Sequence, residues 1–303
     1  MLQGIFCPSI TVTGEDGSID YGLWGRHLDH LAEAGINGVL IFGSIGEFYA
    51  FPTEEKIKAI KFAVDRVAGR MKVIAGVSGT IYDDVLRMTK AATAAGADAV
   101  MAVSPYYFGP SNGAALRYFS GIAKETDLPI VLYNFPARTG SDLSAELVAS
   151  LVRQIPTICG TKDTVDCASH TRKVIRSVRA VRKDFSVLSG FDEYYFTNRI
   201  AGGNGVLCGL TNVIPEVFVA MHKAYEAHRF DEALRYAESI SRLMSIYDVC
   251  DLFISAVKCG VRARGLPIST RICEPAVQAS PEQQHEVEEL LAAESQVFDS
   301  VGI

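Results

Sequence analysis

A single amine, Lys162, lies at the end of an apolar, strand-like run that reads Ile-Cys-Gly-Thr-Lys-Asp over residues 158–163. An amine among apolar neighbours has its charged form disfavoured, so a neutral, nucleophilic fraction becomes available near neutral pH. Such an amine can attack a ketone and form a Schiff base. For a lysine considered alone, a side chain that extends from a strand end into solvent is the commoner case. Its neighbours in the fold therefore decide its interpretation.

Three further groups that suit the same chemistry follow other apolar runs. The turn at residues 43–47, Gly-Ser-Ile-Gly-Glu, can offer backbone N–H groups to a carboxylate, with the Ser44 hydroxyl beside them. Tyr133 and Tyr107 stand at or just beyond run ends, where a phenol can exchange protons with a substrate and pass them along hydroxyl groups. Each feature alone is more often an ordinary turn or a packed ring.

Eight short apolar runs recur along the chain, most of them separated by the length of one βα unit. They cover residues 4–7, 38–42, 72–76, 99–103, 130–133, 158–162, 186–189 and 205–208. Their continuous apolar character is typical of strands buried on both faces, and the segments between them show helical periodicity. Eight parallel strands that alternate with helices predict a closed (β/α)8 TIM barrel.

Beyond residue 212 the pattern is helical only. Helices are predicted over residues 213–228, 231–247, 251–264 and 281–298, which is more helix than one barrel unit needs. We therefore predict a barrel core over residues 1–212, and the last barrel helix with a C-terminal helical extension over residues 213–303.

Composition excludes several classes of partner. The net charge is −6 and there is no basic block, so neither nucleic acid nor an anionic membrane is expected, and small molecules are the favoured partners. No apolar run approaches the roughly 18 residues that span a bilayer, and the N-terminus lacks the features of a signal peptide. A cytoplasmic location is the expectation.

Cysteine and histidine spacing gives no sign of a metal site. The seven cysteines are never spaced as C-x-x-C, and we interpret most of them as buried small hydrophobic residues. His27 and His30 share one predicted helical face, but no third ligand is indicated. We expect no disulfide framework and no metal.

Strand alternation links Lys162 to Tyr133. If Lys162 points into the barrel, then Ile158 and Gly160 do so too, and Tyr133 can occupy the same interior on the adjacent strand. Gly160 is expected to leave space above it. A phenol beside the amine would give the site a proton-transfer group.

Together these segments resemble the pyruvate-dependent class I aldolase family that includes dihydrodipicolinate synthase and N-acetylneuraminate lyase. The resemblance extends from about Ile5 to at least Pro215. Its markers, in the order and near the spacing of the family, are residues 43–47, Pro-Tyr-Tyr at 105–107, Tyr-Asn-Phe-Pro at 133–136 with Thr-Gly at 139–140, Gly-Thr-Lys-Asp at 160–163, and Gly-Gly-Asn-Gly at 202–205 followed by Asn212.

The resemblance implies roles for individual residues. Lys162 matches the Schiff-base lysine and Tyr133 the general acid/base, whereas Ser44 and Tyr107 match the proton relay, with Tyr107 typically reaching across a dimer interface. The Ser44–Ile45 backbone matches the cradle for the pyruvyl carboxylate. Leu207 matches a position lining the same pocket. The resemblance also implies a homotetramer built from two dimers.

Two positions point to different branches of that family. Ile45 replaces the second of two threonines typical of the synthase, which removes a hydroxyl and weakens that interpretation. Arg138 favours the synthase, since it matches the arginine that contacts the carboxylate of the aldehyde substrate.

The segment Gly190, Phe191, Asp192 and Glu193 resembles the lyase branch, where an acidic pair and nearby backbone bind a polyol chain. Asp192 and Glu193 could equally cap the helix that follows. Residues 132–137 and 160–166 look especially similar to bacterial 2-keto-3-deoxy-sugar-acid aldolases.

The favoured function is therefore cleavage of a 2-keto-3-deoxy sugar acid, such as 2-keto-3-deoxygluconate or its galactonate epimer, to pyruvate and an aldehyde. The implied ligands are a small 2-keto acid and an aldehyde, with no cofactor or metal because a protonated imine polarises the substrate. The alternatives are 4-hydroxy-tetrahydrodipicolinate synthase and a catalytically silent keto-acid-binding relative. A nicotinamide oxidoreductase is disfavoured, since no G-x-G-x-x-G follows the first strand.

Overall fold

Eight parallel strands form the centre of the molecule in a computed structural model that describes residues 1–303. The strands are β1 (Gly4–Pro8), β2 (Gly38–Ile41), β3 (Lys72–Gly76), β4 (Ala99–Val103), β5 (Ile130–Asn134), β6 (Ile158–Asp163), β7 (Ser186–Ser189) and β8 (Gly205–Leu207). Each pairs with the next, and β8 pairs with β1, so the sheet is a closed barrel. The predicted TIM barrel is confirmed, with strand ends displaced by one residue at most.

Helices connect the strands and continue after the barrel closes. They are α1 (Tyr21–Ala34), α2 (Thr53–Val67), α3 (Tyr82–Ala95), α4 (Asn112–Lys124), α5 (Pro136–Thr139), α6 (Ala145–Gln154), α7 (Ala168–Arg179), α8 (Tyr195–Ile200), α9 (Pro215–Glu226), α10 (Phe230–Leu243), α11 (Ile246–Val249), α12 (Phe253–Ala263), α13 (Pro281–Ala292) and α14 (Ser295–Ser300). Side-chain caps begin several of them: Asp20 accepts a hydrogen bond from the Leu23 N–H, and Ser280 forms a capping box with Gln283. None of the helices combines the length and the apolarity that crossing a membrane requires.

The register between β5 and β6 places the two proposed catalytic residues side by side. Tyr133 is opposite Lys162, and Asn134 is opposite Asp163. Gly160 plays a different part from the one expected, because a Cβ there would lie 2.9 Å from the Ser186 carbonyl oxygen. The glycine allows β7 to approach β6 closely and does not leave open space.

The C-terminal helices differ from the prediction at two breaks. The helix expected over 231–247 ends at Leu243 and resumes as the short α11, and the helix expected over 281–298 is divided into α13 and α14. The second break falls at Glu294, whose carboxylate accepts hydrogen bonds from Arg242 of α10. The first break turns the chain across the carboxyl end of the barrel, where residues 244–254 meet the strand ends.

Candidate active site

Two adjoining cavities of about 270 Å³ each open at the carboxyl ends of the strands, where TIM barrels carry their active sites. The inner cavity is lined by Pro8, Ser44, Ile45, Tyr133, Phe135, Arg138, Lys162, Thr164, Gly190, Phe191, Asp192, Cys208, Gly209, Met244, Tyr247 and Phe253. The outer cavity shares Ser44, Phe135, Arg138 and Phe253 with it and is otherwise mostly apolar. A ligand can therefore extend from the barrel interior towards the surface.

Lys162 and Tyr133 face each other at the base of the inner cavity. The side chains are 5% and 3% exposed, and Lys162 Nζ lies 4.4 Å from the centroid of the Tyr133 ring. Asp163, next in sequence to Lys162, binds His170 and Thr171 on the other side of the strand. The amine therefore stays available in the cavity beside a phenol.

The Tyr133 hydroxyl has one polar partner, Ser44 Oγ, at 3.2 Å. This contact has the geometry that the first step of the expected proton relay requires. Tyr107, the next expected member, does not line either cavity, is 86% exposed and packs edge-on against Phe108 with ring centroids 4.9 Å apart. Within one chain, the structure therefore brings only Tyr133 and Ser44 of the expected relay residues into contact.

The turn that carries Ser44 and Ile45 is held from behind by buried polar contacts. Thr11 Oγ1 donates to the Gly46 carbonyl at 2.7 Å. Glu47, fully buried and in the left-handed region at φ 55°, accepts from Lys258 Nζ at 2.6 Å and from the Cys273 N–H at 2.7 Å. A non-glycine residue keeps such a backbone conformation only when its surroundings enforce it. The ion pair thus ties the candidate carboxylate cradle to helix α12.

The two acidic residues after β7 have different surroundings. Asp192 is 3% exposed, and its carboxylate accepts from the Leu210 N–H at 2.7 Å and from the Tyr247 hydroxyl at 2.8 Å. Burial raises the pKa of Asp192 above its usual value, and both hydrogen bonds oppose that effect. Glu193 is exposed and lies outside the cavity. The expected pair of polyol-binding carboxylates is therefore not formed, because adjacent residues of the 3-10 helix Asp192–Tyr194 point in different directions.

Of the other three residues that the sequence predicted to bind substrate, two line the inner cavity and one is buried behind it. Gly190 lines the inner cavity, and a Cβ there would collide with the Thr164 hydroxyl. Leu207 is fully buried in β8, and Cys208 and Gly209 line the cavity in its place. Arg138 is exposed at the junction of the two cavities, with its guanidinium carbon 5.9 Å from the centroid of the Phe253 ring.

Several lining residues were not foreseen from the sequence. Thr164 is 7% exposed and its hydroxyl has no protein partner, although its position two residues after Lys162 was a usable signal. Met244, Tyr247 and Phe253 reach the cavity from the C-terminal helices, and no local pattern marks such distant contacts. No three His, Cys, Asp or Glu side chains come together as a set of metal ligands.

Comparison with known proteins shows the family to which the chain belongs. The model of the dihydrodipicolinate synthetase family matches residues 1–294. The chain belongs to the dihydrodipicolinate synthetase family. Relatives in that family are named as DapA-like lyases and as 2-dehydro-3-deoxy sugar-acid aldolases, and the chain is a carbon–carbon lyase.

Individual relatives match nearly the whole chain. An uncharacterized DapA-like lyase of Thermococcus onnurineus is 35% identical over 96% of this chain and 98% of its own. Two Escherichia coli K12 proteins are provisionally named 2-dehydro-3-deoxy-D-gluconate aldolase (YagE) and 2-dehydro-3-deoxy-D-pentonate aldolase (YjhH). They are 32% and 33% identical, over 96% and 97% of both chains respectively.

Solved structures of family members superpose closely. The crystal structure of YagE in complex with pyruvate has a TM-score of 0.95 and 32% identity, and it covers 97% of this chain and 98% of its own. The 4-hydroxy-tetrahydrodipicolinate synthase of Methylacidiphilum fumariolicum has a TM-score of 0.92 at 27% identity, over 99% and 98% of the two chains. Both branches of the family thus share this fold.

Proposed function

We propose that the protein is a Schiff-base, pyruvate-dependent aldolase that cleaves a 2-keto-3-deoxy sugar acid into pyruvate and an aldehyde. The observation that carries the proposal is the buried Lys162 amine, 4.4 Å from the ring of Tyr133 inside a cavity at the strand ends. A class I aldolase needs an amine nucleophile and an adjacent acid/base, and these two side chains supply both.

The proposed reaction begins when neutral Lys162 attacks C2 of the keto acid. Loss of water gives a protonated imine, which serves as the electron sink. The Tyr133 oxygen takes the proton from the C4 hydroxyl, and the C3–C4 bonding electrons move into the imine. The aldehyde leaves and a pyruvyl enamine remains on Lys162. Protonation at C3 followed by hydrolysis releases pyruvate and restores the amine.

In this proposal the carboxylate of the keto acid binds at the turn that holds Ser44 and Ile45. Both residues line the inner cavity, and the buried Glu47–Lys258 pair fixes the same turn from behind. Backbone N–H groups of such a turn bind an anion without a charged side chain. Because backbone groups bind the carboxylate, the Ser44 hydroxyl keeps its contact with the Tyr133 hydroxyl, 3.2 Å away.

In this proposal the aldehyde half of the substrate lies between Thr164 and the cavity wall formed by the C-terminal helices. The Thr164 hydroxyl is buried beside Gly190 and has no protein partner, so in this proposal its side chain rotates to hydrogen-bond a substrate hydroxyl that enters the cavity, whereas Phe135, Phe191 and Phe253 form apolar walls. The provisional names of YagE and YjhH support sugar acids of this class.

The second candidate is the synthase reaction, in which the pyruvyl enamine adds to aspartate semialdehyde. Arg138 favours it, because an exposed guanidinium at the cavity junction can bind the carboxylate of that aldehyde. Ile45 disfavours it, since the apolar side chain offers that substrate no hydrogen bond.

The deciding experiment compares the two reactions on one preparation. Pyruvate release is measured with 2-keto-3-deoxygluconate, with its galactonate epimer and with a 2-keto-3-deoxypentonate, beside condensation of pyruvate with aspartate semialdehyde. We expect kcat/KM for at least one cleavage reaction to exceed that for condensation. If condensation is faster by a wide margin, the protein is a synthase and the aldolase proposal is wrong.

The exposed Tyr107 and Phe108 support a homotetrameric assembly with Tyr107 as a relay residue of the neighbouring subunit. They are 86% and 82% exposed, which is unusual for large aromatic side chains that have no covering partner. Light scattering at working concentration should give the mass of four chains. A monomeric mass together with full activity would remove Tyr107 from the relay.

A further inference from the structure

A polar cluster lies behind Lys162 and Tyr133, on the outer side of β5 and β6. Side chains alternate along a strand, so Asn134 and Asp163, which follow the two proposed catalytic residues, point away from the cavity. Both are 1% exposed. The proposed chemistry uses neither of them.

His170, near the start of α7, joins this cluster through two carboxylates. Its Nδ1 lies 3.1 Å from Asp163 and its Nε2 3.2 Å from Asp142, which belongs to the segment between α5 and α6. Asn134 Nδ2 donates to Asp142 at 2.9 Å and to Asp163 at 3.1 Å. Thr171 Oγ1 donates to Asp163 at 2.6 Å. One imidazole therefore connects the end of β6 to the segment that follows β5.

The surroundings favour the charged form of His170. Its side chain is 17% exposed, and the hydrogen bond to Asp163, followed by the charges of both carboxylates, raises the pKa of His170 to about 9. Both ring nitrogens then donate, one to each carboxylate. The other titratable groups around it are Glu146 on α6, Lys173 on its own helix and Cys167 immediately before that helix, all of them exposed.

We propose that His170 is a positioning residue: its imidazolium holds the ends of β5 and β6 together and so sets the placement of Lys162 against Tyr133. The inference rests on the proposed function of those two residues. The pairing of Tyr133 with Lys162 and of Asn134 with Asp163 transmits the constraint, because each catalytic side chain is one residue away from a member of the cluster.

The expected signature is a loss of kcat with little change in KM for the keto acid. The candidate carboxylate cradle lies on the turn after β2, away from the cluster, so binding should persist. Displacement of a reacting group by a fraction of an ångström costs on the order of ten-fold in rate. We expect kcat of His170→Gln at pH 7 to fall about ten-fold, with KM within about three-fold of the wild-type value.

The experiment measures kcat for pyruvate release from pH 6.5 to 10 in the wild type, His170→Gln and His285→Gln. His285 is a matched control, since it also stands between two carboxylates, at 3.6 Å from Glu288 and 3.5 Å from Glu289, but is 69% exposed. The ratio of wild-type to His170→Gln kcat should be large below pH 8 and fall towards 1 as the pH rises through 9. Any pH dependence that the wild type and the variant share cancels in this ratio.

Folding and function are separated by two further measurements. Asp142→Asn, at a position 42% exposed, breaks the charge bridge while it retains the shape, so it replaces His170→Gln if that variant does not fold. A ratio that stays constant over the whole pH range, or a His170→Gln kcat equal to that of His285→Gln, would overturn the proposal. Absence of a borohydride-trapped pyruvyl adduct in the wild type would instead refute the proposed function, and the positioning role with it.

Discussion

Replacement of Lys258 by methionine should destabilise the protein and weaken keto-acid binding together. Lys258 and Glu47 are 0% and 1% exposed, and methionine fills a similar volume without the charge. The Glu47 carboxylate would keep its hydrogen bond from the Cys273 N–H but lose its cation. Removal of one partner from a buried ion pair costs about 3 to 5 kcal/mol, because the other charge stays buried and unpaired.

For a chain of this size that cost corresponds to a fall in Tm of about 5 to 10 °C in differential scanning calorimetry. KM for pyruvate in the aldol-addition direction should rise as well, since Glu47 is the last residue of the turn proposed to hold the carboxylate. The double variant Glu47→Gln with Lys258→Met should recover much of the Tm, because no unpaired charge remains.

The matched control is Lys61→Met. Lys61 pairs with Asp65 at 2.7 Å, but both side chains are more than half exposed, so its loss should cost no more than about 1 kcal/mol. A Tm for Lys258→Met within about 2 °C of that control, with an unchanged KM for pyruvate, would refute the claim that the pair supports the cradle.

Three more variants test the site and its surroundings. Tyr133→Phe should lower kcat by about 10²- to 10⁴-fold in steady-state assays, yet still form the trapped adduct, because it removes the acid/base and spares the amine. Thr164→Val should raise KM for the sugar acid about ten-fold and leave KM for pyruvate unchanged; equal effects on both would exclude a contact with the aldehyde half. His170→Gln should lower the free energy of unfolding by about 1 to 2 kcal/mol at pH 6. This is less than the full pKa shift implies, because solvent screens the interaction of His170 with the exposed Asp142. Because the folded-state pKa of His170 is raised to about 9, this contribution is full below about 6.5 and should vanish by pH 10 in urea titrations.

The sequence was sufficient to predict the barrel and to predict that Lys162 and Tyr133 lie in the same barrel interior. Strands buried on both faces are continuously apolar, so all eight could be recognised, and alternation placed Lys162 and Tyr133 on one interior. Their separation depends on the β5–β6 register, which residue types do not encode.

Local sequence patterns did not predict which residues form the walls of the cavity. Tyr247 meets Asp192 across 55 residues, and this contact, not helix capping, decides what the Asp192 carboxylate binds. The helix that contains Lys258 was predicted correctly, but nothing in its sequence marked Lys258 as half of a buried ion pair. Its partner Glu47 was recognised only as part of a turn. Such long-range contacts follow from how the C-terminal helices pack on the barrel, which no periodicity in one segment reveals.

Lys162 is the proposed nucleophile, and borohydride reduction in the presence of pyruvate determines whether it forms the Schiff base. After proteolysis and mass spectrometry, a reduced pyruvyl group should be found on the peptide that contains Lys162 and should be missing from the Lys162→Arg variant. The folded state of each preparation is confirmed by circular dichroism before reduction. An unmodified Lys162 in folded protein, or an adduct on another lysine, would show that Lys162 is not the nucleophile.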